Sequence, residues 1–408
     1  MNLHDFPAVL SYPYGSETGR FDCAWGTCMV LYGETCEDEY TAYLRNVLPG
    51  HGAEPYDSNR IGENRFATFR LPQGALHTYY TAWSRTVRLI FDPLSFTSLP
   101  PLAAGAFERE TDPTLCIMAL DYSHRDVTDG NGMSYVVILA DGSFLLYDGG
   151  YAQDTDHLYE FLRTHNRRAD GEIVIAAWVL THSHLDHYGN FRAFTERYAD
   201  RVRVEYFVAN PTSPHYFVNA NAYDPFLTDR LPELLSAYPG ARLVKLQTGQ
   251  RMAVRDAVIE AYFSFHDVYP EPIRWLNVAS LVTKLHIAGQ EILFLADAEI
   301  VPDVILPKMY GNALKSDIFQ VAHHGYSGGS AELFDLIAPQ TAMWTTSRAA
   351  FDIRISDEWP RPQNRYLTRE AGITRFFVAD EGCRLLRLPY AGEEPTLYEY
   401  PTSDPKGD

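Results

Sequence analysis

The stretch VLTHSHLDHYGN, residues 179–190, places His182, His184, Asp186 and His187 within six positions. An apolar run, IVIAAWVL at 173–180, leads straight into it. A packed core would have to satisfy every ring nitrogen of such a loop, because unpaired buried polar groups are costly. With 14 His among 408 residues, the pattern H-x-H-x-D-H arises by chance in about one such chain in a thousand. Metal binding explains it better. His182 and His184 are two apart, so on extended backbone they point the same way. Asp186 and His187 follow where the chain turns and can face a second ion. Neutral imidazole and carboxylate suit zinc first, with manganese or iron as alternatives. Two such divalent ions would share a water and lower its pKa towards neutrality.

A site of this kind needs more ligands, and three later or earlier strand ends offer them. EILFLADAE ends an apolar strand on Asp297, whose ordinary reading is a helix N-cap. DIFQVAHHGYSGGS ends another on His323 and His324, followed by a glycine-rich turn that packing alone does not explain. DGSFLLYDGG ends a third on Asp148, a carboxylate placed either to orient a ligand histidine or simply to start the turn.

The elements that must hold these ends are short. SYVVILA (134–140) and SFLLYD (143–148) read as two strands joined at Asp141-Gly142. TDHLYEFLRTHNRR (155–168) and FRAFTERYA read as helices, and VRVEYFV as a strand. SLVTKLHIA, EILFLADA and DIFQVAHH read as further strands, with a helix near 300–310. Strands and helices interleave without one βαβ period, which predicts an α/β (α+β) assembly of mixed sheets with outer helices. Upstream, HTYYTAWSRTVRLIFD (77–92) is aromatic and β-branched, and TSLPPLAAGAFERETDPT (97–114) reads as a connection. The expected organisation is a β-rich module over 1–105, a catalytic domain over 115–390 and a tail over 391–408. His4, His51 and His77 are scattered through the module, which is expected to supply no ligand.

Composition narrows the partners. A formal net charge of -19 argues against bulk capture of nucleic acid and against anionic membrane surfaces. Neither a signal-peptide pattern nor an apolar run of membrane-spanning length is visible. Five cysteines, Cys23, Cys28, Cys36, Cys116 and Cys383, have irregular spacings that suit reduced thiols and a cytoplasmic location better than a disulfide framework. The expected partner is a small-molecule substrate; the oligomeric state is open.

THSHLDH, LADAE and VAHHGYSGGS together resemble the metal-binding motifs of the metallo-β-lactamase (MBL) superfamily of metallo-hydrolases, over roughly residues 115–390. NVASLVTKLHIAGQEILFLADAE and DIFQVAHHG are most similar to the branch that holds ComEC-like and phosphorylcholine esterase-like domains. The resemblance implies an αββα sandwich of two mixed sheets flanked by helices, with the metals at one sheet edge. It implies His182, His184, Asp186, His187, Asp297 and one of His323 and His324 as ligands, with Asp297 bridging. Asp148 stands where the family has an aspartate before its first helix. Two features depart from the pattern. Many members carry a further ligand histidine before the bridging aspartate; Asn277 stands near that point, and His266 is the nearest histidine. The ComEC-like branch often has a late histidine before a proline, but this region reads EWPRPQNRYL, leaving its work undone or to Arg361.

The expected function is therefore a metal-dependent hydrolase in which a metal-bound hydroxide attacks an ester or phosphodiester. Asp186 would also orient the water, and His324 would polarise the substrate. The phosphodiester preference comes from the resemblance and not from the spacing. The aromatic, polar stretch YFVANPTSPHYFVNANAYD (206–224) serves either as a pocket wall or as an ordinary surface loop. Rival readings are a thioesterase- or lactonase-type hydrolase of the same fold, and a non-catalytic binding or scaffold protein that keeps a metal.

Overall fold

The computed structural model describes residues 6–213, 216–217, 225–268, 273–379 and 382–400. Two sheets face each other at its centre. The larger runs in the spatial order Thr396–Tyr398, Cys383–Arg387, Thr114–Ile117, Ser134–Ile138, Phe144–Asp148, Val174–Leu180, Tyr206–Ala209, Arg242–Val244 and Thr97–Ser98. It is antiparallel up to Phe144–Asp148 and parallel beyond. The second holds seven strands, from Arg251–Val254 through Ala257–Phe263, Val282–Ile287, Gln290–Phe294, Ile318–Gln320 and Thr341–Trp344 to Arg375–Val378.

Side chains from both inner faces form one core, with Leu145 and Val179 meeting Ile259, Leu285 and Phe294. Tyr147 stacks on Phe294 with ring centroids 3.9 Å apart. Helices Thr155–His165 and Leu185–Tyr198 cover the outside of the larger sheet through Leu158, Phe161, Phe191 and Phe194. Val301–Tyr310, Ala331–Ile337 and Pro362–Arg369 cover the outside of the second through Leu306, Phe334 and Leu367. The layering is the expected αββα sandwich. Strands Val174–Leu180 and Phe144–Asp148 are buried along their whole length, as strands covered on both faces must be.

Residues 16–92 form a third, antiparallel sheet of six strands. One face, carrying Met29, Leu31, Phe66, Tyr79 and Ile90, shares a hydrophobic core with Tyr262, Phe263 and Leu293 of the seven-stranded sheet. The connection after it is less loose than expected, because Thr97–Ser98 adds a strand to the larger sheet.

Local expectations differ from the structure in two places. The helix read from Phe191 begins earlier, at Leu185, so Asp186 and His187 lie on its first turn and not in a loop. VRVEYFV is broken into Arg203–Val204 and Tyr206–Ala209. Of the stretch 206–224, residues 214–215 and 218–224 lie outside the described residues. Among the described residues, no helix is long and apolar enough to cross a membrane.

Candidate metal centre

Four chain segments converge at one edge of the facing sheets. Strand Val174–Leu180 delivers Thr181 and His182, and His184 caps the helix that carries Asp186 and His187. Asp297 follows strand Gln290–Phe294, and His323 and His324 follow Ile318–Gln320. His182, His187, Asp297 and His324 are all buried.

Asp297 stands at the middle. Its Oδ1 lies 3.1 Å from His187 Nε2 and 3.2 Å from His324 Nε2. Asp186 Oδ2 closes that side, 3.4 Å from the same His324 nitrogen. Asp297 Oδ2 lies 3.7 Å from His182 Nε2, and His182 Nε2 is 3.1 Å from His184 Nδ1. Two donor groups result: Asp186, His187, Asp297 and His324, and then His182, His184 and Asp297, each with its atoms within 4.8 Å of one another. Asp297 is common to both.

The ring nitrogens turned away from the cluster are anchored. Asp148 ends its strand and accepts from Thr181 N at 2.8 Å and from Thr181 Oγ1 at 2.7 Å, while its Oδ2 lies 2.6 Å from His187 Nδ1. This leaves His187 Nε2 for Asp297. His324 Nδ1 lies 2.8 Å from the Thr345 carbonyl, which likewise directs its Nε2 inward. His323 and His324 both adopt positive φ, 45° and 54°, ahead of Gly325. A Cβ on Gly325 would fall 2.2 Å from the Trp344 ring, so only glycine fits. The Trp344 indole and the buried Arg354 guanidinium both donate to the His324 carbonyl, at 2.6 and 2.8 Å. This tied, conformationally costly turn is where the two histidines part.

Only His324 joins a donor group. His323, the alternative to His324 in the sequence reading, lies outside both, although its Nε2 is 3.7 Å from Asp297 Oδ2. Its Nδ1 is drawn to Ser327 Oγ at 2.5 Å and Glu299 Oε2 at 3.1 Å, and its Nε2 lies 3.1 Å from Asn277 Nδ2. Through His323, Asn277 therefore sits on the Asp297 Oδ2 side, beside the group of His182, His184 and Asp297. His266 sits elsewhere, buried with its Nδ1 2.6 Å from Gln247 Oε1. Arg361 flanks Asp303 at the start of helix Pro362–Arg369 and belongs to neither group. Sequence reading passed over Thr181, Glu299, Ser327, Thr345 and Arg354. Glu299 had a faint signal, two residues after Asp297; Arg354, thirty positions from His324, had none.

The electrostatics fit cations. Burial alone would raise Asp297 and lower His187. Instead, His187, His324 and His323 hold Asp297 well below its usual value, and Asp297 and Asp148 hold His187 well above its own. Asp186 is held down in the same way by His324 and His187. His182 and His184 are lowered by burial and so present neutral imidazole, the form that binds metal. Asp297 Oδ1 is buried, and its close neighbours are the His187 and His324 Nε2 atoms, themselves metal-donor atoms. Oxygen and imidazole donors on two sides of one shared carboxylate suit a pair of divalent ions.

The family model for the metallo-beta-lactamase superfamily matches residues 127–343, more than half of the 408-residue chain. The chain belongs to the metallo-beta-lactamase superfamily. Members of that superfamily are for the most part metal-dependent enzymes. Similar solved structures include CmlA, a diiron beta-hydroxylase from Streptomyces venezuelae, at 14% identity and TM-score 0.41, covering 69% of this chain and 55% of that one. The chain thus spans about half the length of CmlA. The metallo-beta-lactamase fold protein YhfI from Bacillus subtilis is similar at 10% identity and TM-score 0.39, covering 66% of this chain and 97% of that one. Zn(2+)-bound PqqB from Methylobacterium extorquens is similar at 10% identity and TM-score 0.41, covering 68% and 100%. No curated protein matches the chain.

Proposed function

We propose that this MBL-fold chain is a hydrolase of ester or phosphodiester bonds that works with two divalent ions, zinc first, nearest to the ComEC-like and phosphorylcholine esterase-like branch. The observation that carries the reading is Asp297, whose two oxygens face two separate donor groups. Asp186, His187, Asp297 and His324 would hold one ion, and His182, His184 and Asp297 the other. When bound, the ions lower the pKa of a shared water and polarise the substrate. The protein's own part is to position. Asp148 and Thr345 fix the two inward-facing imidazoles, and Asp186, 16% exposed in its side chain, is the carboxylate of the four-residue group open enough to orient an incoming water.

One observation favours a second reading. The group of His182, His184 and Asp297 offers only two imidazoles and one carboxylate, with Asn277 where many relatives have a third histidine. A chain that fills only the four-residue group would carry a single metal and serve as a binding protein. Elemental analysis of protein purified without chelator, together with a panel of chromogenic esters and phosphodiesters, separates the two. More than one equivalent of metal with turnover supports the hydrolase. One equivalent or less, unrestored by added zinc or manganese and without turnover, refutes it.

A further inference from the structure

The helix that opens on the metal loop carries a second feature on its outer side. Leu185, Gly189, Arg192, Ala193 and Glu196 recur at helical spacing and line one side of a cavity of about 480 Å³. That is the size of a small-molecule site. Leu185 lies between His184 and Asp186, is 61% exposed and gives this cavity an apolar surface next to the metal loop. The opposite wall is the loop around His124 and Arg125 with Tyr151.

This wall is tied to the metal loop. Gly132 is wedged between the two, and a Cβ on it would lie 3.1 Å from Tyr151 Cε2 and 3.5 Å from the Asp186 carbonyl. Met133 N donates to that same carbonyl at 3.0 Å. Arg125 is laid along the wall, its guanidinium 4.7 Å from the centroid of the Tyr151 ring and its Nε donating to Tyr151 Oη at 3.0 Å. His124 sets its ring edge-on to Tyr151, 4.6 Å away. The stacking and the single bond fix the Arg125 plane, and among the described residues its two terminal amino groups are left for a ligand. Arg192 adds a second cation, loosely paired with Glu196 at 3.6 Å. On a chain of net charge -19, a cavity beside the metal loop with two arginines to one glutamate is locally built for an anion.

We propose that this cavity holds the non-reacting part of the substrate, and that this part is an aryl- or acyl-sized apolar group bearing a carboxylate or phosphate-type oxyanion. The apolar body would lie on Leu185 and Ala193, and the oxyanion would take the terminal amino groups of Arg125, whose planar fork matches it. The inference rests on the hydrolase reading, since it assigns a substrate to that centre.

Binding tests it without turnover. The probes are 4-nitrobenzoate, phenylphosphonate and neutral 4-nitrobenzamide, titrated against the metal-loaded full chain by calorimetry. The expected result is a preference for one of the anions over the amide of roughly tenfold or more, the worth of one charge-assisted hydrogen bond. The better anion tells carboxylate from phosphate. Arg125→Gln, at an exposed position, should abolish the preference, and Ala193→Phe should weaken all three probes by filling the cavity. Equal binding of anions and amide, or a preference that survives Arg125→Gln because the anion sits on the metals, overturns the proposal. A chain that hydrolyses nothing yet shows the Arg125-dependent preference loses the hydrolase reading and keeps the pocket. A chain that turns over charged and neutral esters alike, with Arg125→Gln indistinguishable from the parent, keeps the hydrolase and loses the pocket.

Discussion

Among the described residues, histidine and aspartate meet in two buried clusters built to opposite ends. At the sheet edge, His182, His184, His187 and His324 surround Asp297 and Asp186. At the seam beneath the six-stranded sheet, His77 and His266 lie close to Asp267. In the seam the imidazole and carboxyl atoms hydrogen-bond to neutral groups, while the Arg88 guanidinium donates to the His266 and Asp267 carbonyls. His77 sits between Thr68 Oγ1 and the Thr248 carbonyl, both at 2.9 Å. Asp267 accepts from Tyr79 Oη at 2.7 Å, Thr248 Oγ1 at 2.6 Å and Ser264 N at 3.0 Å. Burial then pushes His77 down to about 4 and Asp267 up, in each case against the charged form. At the sheet edge the carboxylates meet imidazoles in place of hydroxyls and amides, and the same burial is overcome in the charged direction. Buried histidine is therefore no signal by itself. What marks the sheet edge is carboxylates whose partners are donor atoms for a cation.

The largest effect should come from breaking that feature. Asp297→Asn keeps the shape and removes the charge shared by the two donor groups. Metal content should fall, and hydrolysis should drop on the order of a thousandfold, about 4 kcal/mol of lost transition-state stabilisation. The fold should survive, because facing sheets with a core of this size do not depend on a metal to fold. Elemental analysis and kinetics on the Asn variant check this. Full metal content with full activity would mean that Asp297 is only a turn residue.

The contrast between the clusters also tells how far the sequence reaches. H-x-H-x-D-H lies within six positions, so its chemistry is visible without a fold. Asp297 and His324 were legible because each follows an apolar run that had to be a strand. The division of labour between His323 and His324 was not, since it is set by Glu299, Ser327, Trp344 and Arg354 acting across a turn at positive φ. The seam was illegible for the same reason. Residues 77–92 read as strands from their aromatic and β-branched content, but Tyr79 and Asp267 are 188 positions apart, and only the packed sheets bring them together. His266 looked like a possible ligand because it was the nearest histidine in sequence; its partner proved to be Gln247.

A smaller effect should appear in the pH dependence of stability, and it belongs to the seam. His77 titrates near 4 in the folded chain, against about 6.5 when unfolded. Between those values the unfolded chain binds a proton that the folded chain does not, so stability falls as pH falls. The loss attributable to His77 should reach about 3 kcal/mol by pH 4. His77→Gln cannot charge and should remove that slope. Urea unfolding at pH 7 and pH 4.5 for both chains, compared as a double difference, cancels the contribution of the other histidines. Parallel slopes would show that His77 reaches water and that the seam is not closed.

The smallest effect tests whether the two clusters are independent. Tyr79→Phe removes one hydroxyl from the seam and leaves Asp267 Oδ1 without its 2.7 Å donor. Thr248 and Ser264 still hold the other oxygen, so the carboxyl keeps two of its three donors. The cost should therefore stay near the value of a single buried hydrogen bond, about 1–2 kcal/mol. Metal content should not change, because no residue of 1–105 belongs to either donor group among the described residues. Denaturant unfolding and elemental analysis on the same preparation give both numbers. A stability loss with metal content intact keeps the six-stranded sheet as a structural partner of the sandwich. If metal content falls together with stability, the seam and the sheet edge are one cooperative unit, and the N-terminal sheet holds the metal centre in place through the strands it covers.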